Sequence, residues 1–407
     1  MKSKFTYLLV FVLLCSCCSP VFASDSVFVW SDLSDTSSIS TSAAISSQEG
    51  NFLNLTCGGA VLMDQSTGTV LYEHNSLEQL RPASVTKVMT ILLIMEAIDN
   101  GVISLEDNVS CSEAASSMGG SQIWLDTTET LTVNEMLKAI CVVSANDCCV
   151  AMAEHIAGSQ ELFVEQMNKR AKELGMNDTT FKNCHGIDED GHVTSPYDIA
   201  LMSRELMTNH PSITNYTTIW MDSLRGGESE LVNTNKLLRN YDGCTGLKTG
   251  STSLALFNLS ATATRDDLSL IAVIMKGETS AVRFAEAKKL LDYGFSNFEY
   301  YKYSNKGDVV KNLLVNKGTT GSVTISFESD SGALIPKGQS ANITTTVALP
   351  EIIEAPVTKG QKIGEVIFSL NNETLGTVNL IANDDVKKLS FGNMLAHVVE
   401  SWFTLLR

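Results

Sequence analysis

The chain has 407 residues, with 29 Lys and Arg against 46 Asp and Glu, which gives a formal net charge of −17 at pH 7. This acidity excludes functions that depend on binding nucleic acid, because phosphate recognition needs clustered Lys and Arg. Hydrophobic residues make up 44% of the sequence and only 7 residues are proline, which favours folded structure over disorder, and the length predicts two domains.

Residues 1–23 have the pattern of a secretory signal peptide. Two lysines precede an apolar run over residues 7–14, and Val21-Phe22-Ala23 has the small residues of a cleavage site. The apolar run is too short to span a membrane. We therefore expect the protein to be exported, with residues 24–52, rich in Ser, Thr and Asp, as a flexible segment ahead of the fold.

Residues 53–296 alternate between patterns typical of strands and of helices. Apolar runs bounded by turn residues predict strands over residues 59–64, 69–73, 256–265 and 268–276. Capping residues and composition predict helices over residues 84–98, 132–143, 147–156, 160–174 and 280–293, and one that begins at Pro196. Because the helices lie between an N-terminal hairpin and C-terminal strands, we predict an α/β (α+β) domain whose antiparallel sheet is flanked by helices.

Residues 297–384 have a different pattern, in which short alternating runs are separated by Gly, Pro and Asn. These runs predict a small all-β domain with strands over residues 322–327, 342–347, 363–370 and 377–381.

Residues 385–407 return to helical periodicity. Apolar residues that include Leu389, Trp402 and Phe403 form a broad stripe, and polar residues such as His397 mostly occupy the rest. Such a helix is too polar to span a bilayer and is typical of an amphipathic anchor at a membrane surface. A terminal helix packed on the β-domain is the alternative.

The sequence has ten cysteines, of which three belong to the predicted signal peptide. The other seven are Cys57, Cys111, Cys141, Cys148, Cys149, Cys184 and Cys244. An odd number cannot all pair within one molecule, and the spacing matches no zinc pattern. We predict that these residues are buried free thiols. One disulfide between two of them is the alternative.

Three short motifs indicate the chemistry: Ser84-Val85-Thr86-Lys87, Ser144-Ala145-Asn146 and Lys248-Thr249-Gly250. Ser84 and Lys87 are three residues apart at a predicted helix start, so their side chains share one face. A serine hydroxyl is a weak nucleophile, and a lysine whose pKa is lowered by desolvation can remove its proton. The N–H groups of the helix start would stabilise an oxyanion near the serine.

These motifs resemble those of the serine D-alanyl-D-alanine carboxypeptidases, low-molecular-mass penicillin-binding proteins that trim the stem peptides of bacterial peptidoglycan. The resemblance extends from about Leu53 to the C-terminus and also includes residues 68–72, 81–90, 183–188, 246–250 and 355–357. It implies a transpeptidase-like catalytic domain, a C-terminal β-domain and a terminal helix that binds the membrane.

The resemblance also implies roles for the first two motifs. Ser84 would attack the carbonyl of the penultimate D-alanine and form an acyl-enzyme, while Lys87 takes its proton. Ser144 would relay a proton to the leaving amine, and Asn146 would hold the peptide backbone. The backbone N–H groups of Ser84 and Ser251 would form the oxyanion hole.

The third motif would bind the other end of the substrate. By the same resemblance, Lys248 and Thr249 would bind the terminal carboxylate, and Gly250 would let the substrate approach the strand closely. Arg283 stands where the family has an arginine near the pocket for this carboxylate. The alternative is that Arg283 is an arginine on the surface of a helix, without a role in binding. Leu256 stands where the family commonly has glycine, which is expected to bulge the strand or to change the width of the pocket.

The implied substrate is the terminal D-alanine of peptidoglycan stem pentapeptides, and penicillin and other β-lactams are the implied covalent inhibitors. No cofactor, metal or nucleic acid is expected to take part. The exported protein would work at the outer face of the bacterial cytoplasmic membrane, facing the cell wall, with its terminal helix on the membrane surface.

A β-lactamase is one alternative, because it shares two of the three motifs. Class A enzymes, however, have Ser-Asp-Asn where this chain has Ser144-Ala145-Asn146, and they need a deacylating glutamate. Candidates for that glutamate between Asn146 and Lys248 lie only inside predicted helices, which argues against this alternative.

Two further alternatives come from other classes of protein. One is a catalytically silent penicillin-binding or wall-binding module, against which the intact motifs argue. The other is a zinc hydrolase built on His185, Asp188, Asp190 and His192, whose Gly- and Asp-rich context favours a structural turn.

Overall fold

The computed structural model describes residues 48–49, 51–390 and 392. The predicted signal peptide, most of the predicted flexible segment and most of the predicted terminal helix lie outside these residues. None of the helices in the described ranges is long and apolar enough to cross a membrane.

The strands fall into two groups along the chain. The first group consists of β1 (Gln48–Glu49), β2 (Gly59–Asp64), β3 (Val70–His74), β4 (Asn108–Ser110), β5 (Thr130–Thr132), β6 (Met221–Leu224), β7 (Ser229–Val232), β8 (Cys244–Thr252), β9 (Leu256–Arg265) and β10 (Leu268–Gly277). The second group consists of β11 (Phe298–Ser304), β12 (Val309–Asn316), β13 (Ser322–Phe327), β14 (Ser331–Pro336), β15 (Ile343–Ala348), β16 (Ile352–Glu354), β17 (Lys362–Leu370) and β18 (Glu373–Ala382).

The helices lie between and after the strands of the first group. They are α1 (Lys87–Asp99), α2 (Glu113–Ser116), α3 (Val133–Val142), α4 (Asn146–Ala157), α5 (Gln160–Glu173), α6 (Pro196–Asn209), α7 (Thr214–Thr217), α8 (Leu237–Asn240) and α9 (Ser280–Asn297). Short 3-10 turns occur at Ala83–Thr86, Pro211–Ile213, Arg225–Gly227 and Ser340–Asn342.

The N-terminal part is built on a six-stranded sheet in the order β1-β3-β2-β10-β9-β8, antiparallel except for the pair β1 and β3. Ile271 and Val273 of β10 pack with α1, α4 and α6 on one face. Leu270 and Ala272 of the same strand pack with α9 on the other face. Helices thus cover both faces, which is why β10 is a continuous apolar run. The predicted antiparallel sheet with flanking helices is confirmed.

Side-chain caps fix the helix starts that the sequence indicates. The Thr132 hydroxyl accepts the N–H of Glu135, and the Glu135 carboxylate accepts the N–H of Thr132, which completes a capping box at α3. Ser159 caps α5, and Ser195 caps α6 with Pro196 at its first position. These predicted starts are confirmed.

The helix predicted over residues 84–98 begins later than expected. Ala83–Thr86 form a 3-10 turn, in which the N–H of Val85 donates to the Pro82 carbonyl, and α1 starts at Lys87. The β6–β7 hairpin and the first half of β8 were not predicted, because these strands contain Asp, Glu, Thr and Gly instead of a clear apolar alternation.

The C-terminal part is all-β, as predicted. Its six-stranded sheet has the order β15-β17-β18-β13-β12-β16 and packs a separate apolar cluster that includes Leu313, Ile325 and Leu380. The strands β11 and β14 form a two-stranded sheet next to α9, where the Lys337 ammonium donates to the Phe295 carbonyl at 2.8 Å. Largely exposed strands such as β12 were not predicted, because apolar residues do not alternate regularly along them.

The terminal helix predicted over residues 385–407 does not begin at its predicted start. Val386 is buried and forms a bridge with Val357, and Lys388 forms a bridge with Gly318. The N–H of Leu389 donates to a backbone carbonyl of the β-domain. This stretch is extended because its backbone bonds go to the β-domain. The rest of the predicted helix, apart from Gly392, lies outside the described residues.

The seven cysteines of the described residues are all free thiols. Six of them are buried, as predicted, and Cys244 is half-buried. Burial raises the pKa of Cys149 to about 11 and that of Cys141 to about 12. The alternative of one disulfide is therefore not found among the described residues.

Candidate active site

A tight turn holds Ser84 beside the sheet, and the chain packs against this turn from two sides. A Cβ atom at Gly250 of β8 would lie 2.9 Å from the backbone nitrogen of Ser84. A Cβ atom at Gly186, which has a φ of +90°, would overlap the carbonyl oxygen of Ala83. Both approaches require glycine, so the turn is fixed between β8 and the loop that contains Gly186.

The Lys87 side chain is fully buried directly behind this turn. Its ammonium donates to Ser84 Oγ at 3.0 Å, to Asn146 Oδ1 at 2.7 Å and to the His185 carbonyl oxygen at 2.6 Å. These bonds use all three ammonium protons. Burial lowers the pKa of Lys87 from its ordinary value. A lysine of this kind, within hydrogen-bond reach of a serine, is suited to accept the serine proton.

A second lysine lies across the cleft. Lys248 of β8 is 1% exposed, and its ammonium donates to Ser144 Oγ at 2.8 Å and to the Thr249 carbonyl at 3.0 Å. Burial, together with the nearby charge of Lys87, lowers the pKa of Lys248 to about 7. Ser144 has a φ of +66°, which turns the chain sharply before α4.

Asn146 is the first residue of α4 and connects three segments of the chain. Its side-chain oxygen accepts from Lys87, and its amide nitrogen donates to the Gly119 carbonyl at 2.7 Å. Its backbone N–H donates to the Ser121 carbonyl, also at 2.7 Å. These three bonds fix the side-chain amide and orient its oxygen towards the lysine.

Asp147, which the sequence analysis did not single out, supports this arrangement. Its carboxylate is fully buried and accepts N–H groups from Ile123 at 3.0 Å, Leu125 at 3.1 Å and Cys148 at 3.0 Å. It therefore ties the preceding loop to the start of α4, where a negative side chain is favourable.

The segment after Lys248 meets a third cation. Arg283 of α9 donates from Nη1 to the carbonyls of Gly250 at 3.1 Å and Asn258 at 3.3 Å. It is 7% exposed, so the alternative of a surface position is wrong. Burial lowers its pKa to about 10, and among the described residues its buried Nε has no partner. Thr249 Oγ1 lies 2.6 Å from Thr234 Oγ1. Cations and a hydroxyl beside one strand suit a carboxylate ligand.

Ser251 and Leu256 lie at the turn between β8 and β9. Ser251 is exposed and pairs in register with Phe257. Leu256 has a φ of +56°, in the region that favours glycine. The register between the two strands is regular from Gly246 to Thr252, so the expected bulge at Leu256 is absent.

The loop behind the turn that contains Ser84 has a neutral histidine. His192 Nδ1 accepts the N–H of Lys182 at 2.8 Å, so the ring proton lies on Nε2 and is donated to Thr86 Oγ1 at 2.7 Å. Burial lowers the pKa of His192 to about 4. Both ring nitrogens are therefore occupied by structural hydrogen bonds.

The alternative of a zinc site finds no support in this loop. Asp190 pairs with Arg81 at 3.1 Å, and His185 Nδ1 accepts the N–H of Ile187. Over the part of the chain that the structure describes, no three His, Cys, Asp or Glu side chains form a group that could hold a metal ion.

The structure thus brings Ser84, Lys87 and Asn146 together. On the opposite side, the Ser144 hydroxyl accepts a hydrogen bond from Lys248. The structure assigns no contact between Ser251 and this group. Sequence reasoning missed the His185 carbonyl, because a backbone acceptor has no side-chain signature. Asp147 could have been found, since an acidic residue in the first turn of a helix is a recognisable signal.

Gly186→Ala is expected to lower the free energy of unfolding by about 3–5 kcal/mol, since the added methyl combines overlap with a strained backbone. Gly158→Ala is the matched control, because Gly158 has a φ of +83° and open space around its Cβ position. That control should cost about 1–2 kcal/mol. Denaturant unfolding of both variants measures the difference, and equal losses would contradict the proposed packing.

The pH dependence of kcat/KM for a substrate with a free carboxylate is expected to be bell-shaped. Below its lowered pKa, Lys87 is protonated and cannot accept a proton. Above pH about 7, Lys248 of the free enzyme loses its charge, and with it the attraction expected for the substrate carboxylate. Initial rates from pH 5 to 10 test this, with a C-terminal amide of the same peptide as control. An alkaline limb that begins only near pH 10 would contradict the assignment.

The sequence matches two family models. The model of peptidase S11, D-alanyl-D-alanine carboxypeptidase, covers residues 43–279. The model of the C-terminal domain of penicillin-binding protein 5 covers residues 298–388. The residues between the two matches, 280–297, are those of α9.

Individual proteins are similar over most of the chain. The D-alanyl-D-alanine carboxypeptidase DacF of Bacillus subtilis is 42% identical over 347 residues, which cover 84% of this chain and 89% of that protein. The structure of penicillin-binding protein 5 from Haemophilus influenzae has a TM-score of 0.68 at 33% identity and covers 82% of this chain and 98% of its own. The structure of penicillin-binding protein D2 from Listeria monocytogenes, in an ampicillin-bound form, has a TM-score of 0.55 at 30% identity. The match covers 60% of this chain and 99% of that chain.

Proposed function

The chain belongs to the D-alanyl-D-alanine carboxypeptidase family of peptidase S11, and on that premise we propose how its residues carry out the reaction. It is a serine-type carboxypeptidase with a penicillin-binding protein fold. The observation that carries the proposal is the buried Lys87 ammonium, 3.0 Å from Ser84 Oγ. The substrate is the D-alanyl-D-alanine end of a peptidoglycan stem peptide.

Acylation begins when neutral Lys87 accepts the hydroxyl proton of Ser84. The seryl oxygen then adds to the carbonyl carbon of the penultimate D-alanine, and the developing oxyanion is stabilised by the backbone N–H groups of Ser84 and Ser251. As the C–N bond breaks, the proton that Lys87 took from Ser84 passes by way of Ser144 to the amine of the departing D-alanine, which leaves Lys87 neutral again. Water later hydrolyses the seryl ester and regenerates the free hydroxyl.

The other polar groups bind and orient the substrate. Lys248 and Thr249 bind the terminal carboxylate, and Arg283 adds positive charge from below the strand at Gly250. Asn146 binds the peptide backbone while its oxygen keeps Lys87 in place. A β-lactam, which also carries a carboxylate beside a reactive carbonyl, acylates Ser84 in the same orientation.

Ser84→Ala is expected to abolish labelling by fluorescent penicillin and to lower the release of D-alanine from a pentapeptide by at least about 1,000-fold, since it removes the hydroxyl that Lys87 would deprotonate. Ser66→Ala, at an exposed turn, is the control and should keep both activities. Release retained by Ser84→Ala would disprove the nucleophile, and release without any labelling of the unmodified enzyme would exclude the shared acylation route.

In the same proposal, the enzyme works outside the cell, at the outer face of the cytoplasmic membrane. The support is the signal-peptide pattern of residues 1–23 and the apolar residues that follow residue 390, among them Trp402 and Phe403. Both features are patterns of the amino-acid sequence. The membrane surface would keep the enzyme close to newly made stem peptides.

The double variant Trp402→Ser and Phe403→Ser is expected to lose binding to lipid vesicles, because these aromatic residues supply much of the apolar stripe. His397→Ser, which changes the polar face, is the control and should bind like the unmodified protein. Co-flotation with vesicles measures both. Undiminished flotation of the double variant would contradict a membrane-bound helix.

A further inference from the structure

The six-stranded sheet of the β-domain ends on one side at β15 (Ile343–Ala348), which pairs with β17 on its inner side. The register between the two strands is regular over all six residues of β15. Five of these residues are exposed, and Val347 is 49% exposed. Within the part of the chain that the structure describes, no strand pairs with the outer side of β15. This side therefore presents backbone N–H and carbonyl groups that a further strand can bind.

The residues of β15 give this edge none of the usual protection against pairing. Natural edge strands are kept apart by charged side chains, by proline, by bulges or by short length. β15 has the sequence Ile-Thr-Thr-Thr-Val-Ala, which contains neither a charge nor a proline, and five of its six residues are β-branched. Such residues favour the extended backbone that pairing needs. The edge is thus suited to accept another strand.

The opposite edge of the same sheet is protected. β16 (Ile352–Glu354) has only three residues and lies between Pro350 and Pro356. It ends in a glutamate whose carboxylate lies 3.2 Å from the Lys317 ammonium. Short length, charge and nearby proline all disfavour the addition of a strand there. The sheet can therefore grow at one edge only, which favours a closed pair of molecules over an open fibre.

The charge of the chain favours an approach through the β-domain. Residues 298–388 have nine lysines, no arginine, and ten Asp and Glu, so this part of the chain is almost neutral. Nearly all of the formal charge of −17 belongs to the other residues. Two copies that meet through their catalytic domains repel each other, whereas two copies that meet at β15 experience little repulsion. A second copy of the chain can therefore reach this edge.

An antiparallel copy of β15 is complementary to the edge. When two identical strands pair in opposite directions, one edge matches itself about a two-fold axis. Pairing over the full strand gives three kinds of contact: Ile343 with Ala348, Thr344 with Val347, and Thr345 with Thr346. Pairs of β-branched side chains and hydrogen bonds between threonines stabilise such contacts. No like charges meet across the axis.

We propose that β15 is a dimer interface, at which two copies of this chain join their β-domain sheets by antiparallel pairing about a two-fold axis. The pairing involves the β-domain alone, so it does not depend on the proposed function. A single pair of strands buries less area than a permanent dimer interface, and the dimer is accordingly weak. The two active sites belong to the catalytic domains and keep their own residues.

Sedimentation equilibrium of the full chain, in a density-matched non-ionic detergent that covers its apolar C-terminal residues, measures the association. The unmodified protein is expected to dimerise with a dissociation constant of about 10–100 µM. A protein that stays monomeric up to about 500 µM would overturn the proposal.

Two double variants locate the interface. Thr345→Lys with Thr346→Lys places a like-charge pair on each face of the joined strands, and Thr345→Glu with Thr346→Glu does the same. Each alone is expected to raise the dissociation constant at least about tenfold. An equimolar mixture of the two variants should dimerise again, because each lysine then meets a glutamate, and this recovery also shows that both variants fold.

The matched control is Thr319→Lys with Thr320→Lys, which adds the same charge at exposed positions outside β15 in the same domain. It should dimerise like the unmodified protein. A dimer that persists in both β15 variants would overturn the proposal, and so would a mixture of these variants that remains monomeric.

Discussion

One buried ammonium group holds the active site together. Removing a lysine charge from water is costly unless every proton finds an acceptor. Lys87 meets this condition through three segments that are distant in sequence: the turn with Ser84, the helix that begins at Asn146 and the loop with His185. The same bonds that compensate for desolvation place the nitrogen at the hydroxyl of Ser84, the proposed nucleophile. Stability and reactivity therefore share one set of contacts.

The electrostatics of the cleft oppose those of the molecule as a whole. The chain carries a formal charge of −17, yet Lys87, Lys248 and Arg283 are all buried around one strand. Burial lowers the pKa of both lysines, and the nearby charges of Lys87 and Arg283 lower the pKa of Lys248 further. In the proposed mechanism, a substrate carboxylate interacts favourably with this local positive charge, which would favour ligands that carry such a group.

The sequence was informative where function depends on side chains and less so where it depends on the backbone. Ser84 and Lys87 were recognisable from their spacing, and the caps at Thr132 and Ser195 followed from local chemistry. The His185 carbonyl was invisible because its role depends on where the loop lies. The helix start predicted in the segment that contains Val386 was wrong because backbone pairing with the β-domain outweighed the apolar periodicity.

The free thiols of the fold have a consequence for how the protein tolerates its surroundings. Burial raises the pKa of Cys148 and Cys184 well above the ordinary value, so the reactive thiolate is scarce, and oxidants reach these sulfur atoms poorly. No described cysteine is needed as a covalent cross-link. For these two thiols, the protection from oxidation therefore comes from their packing in the fold.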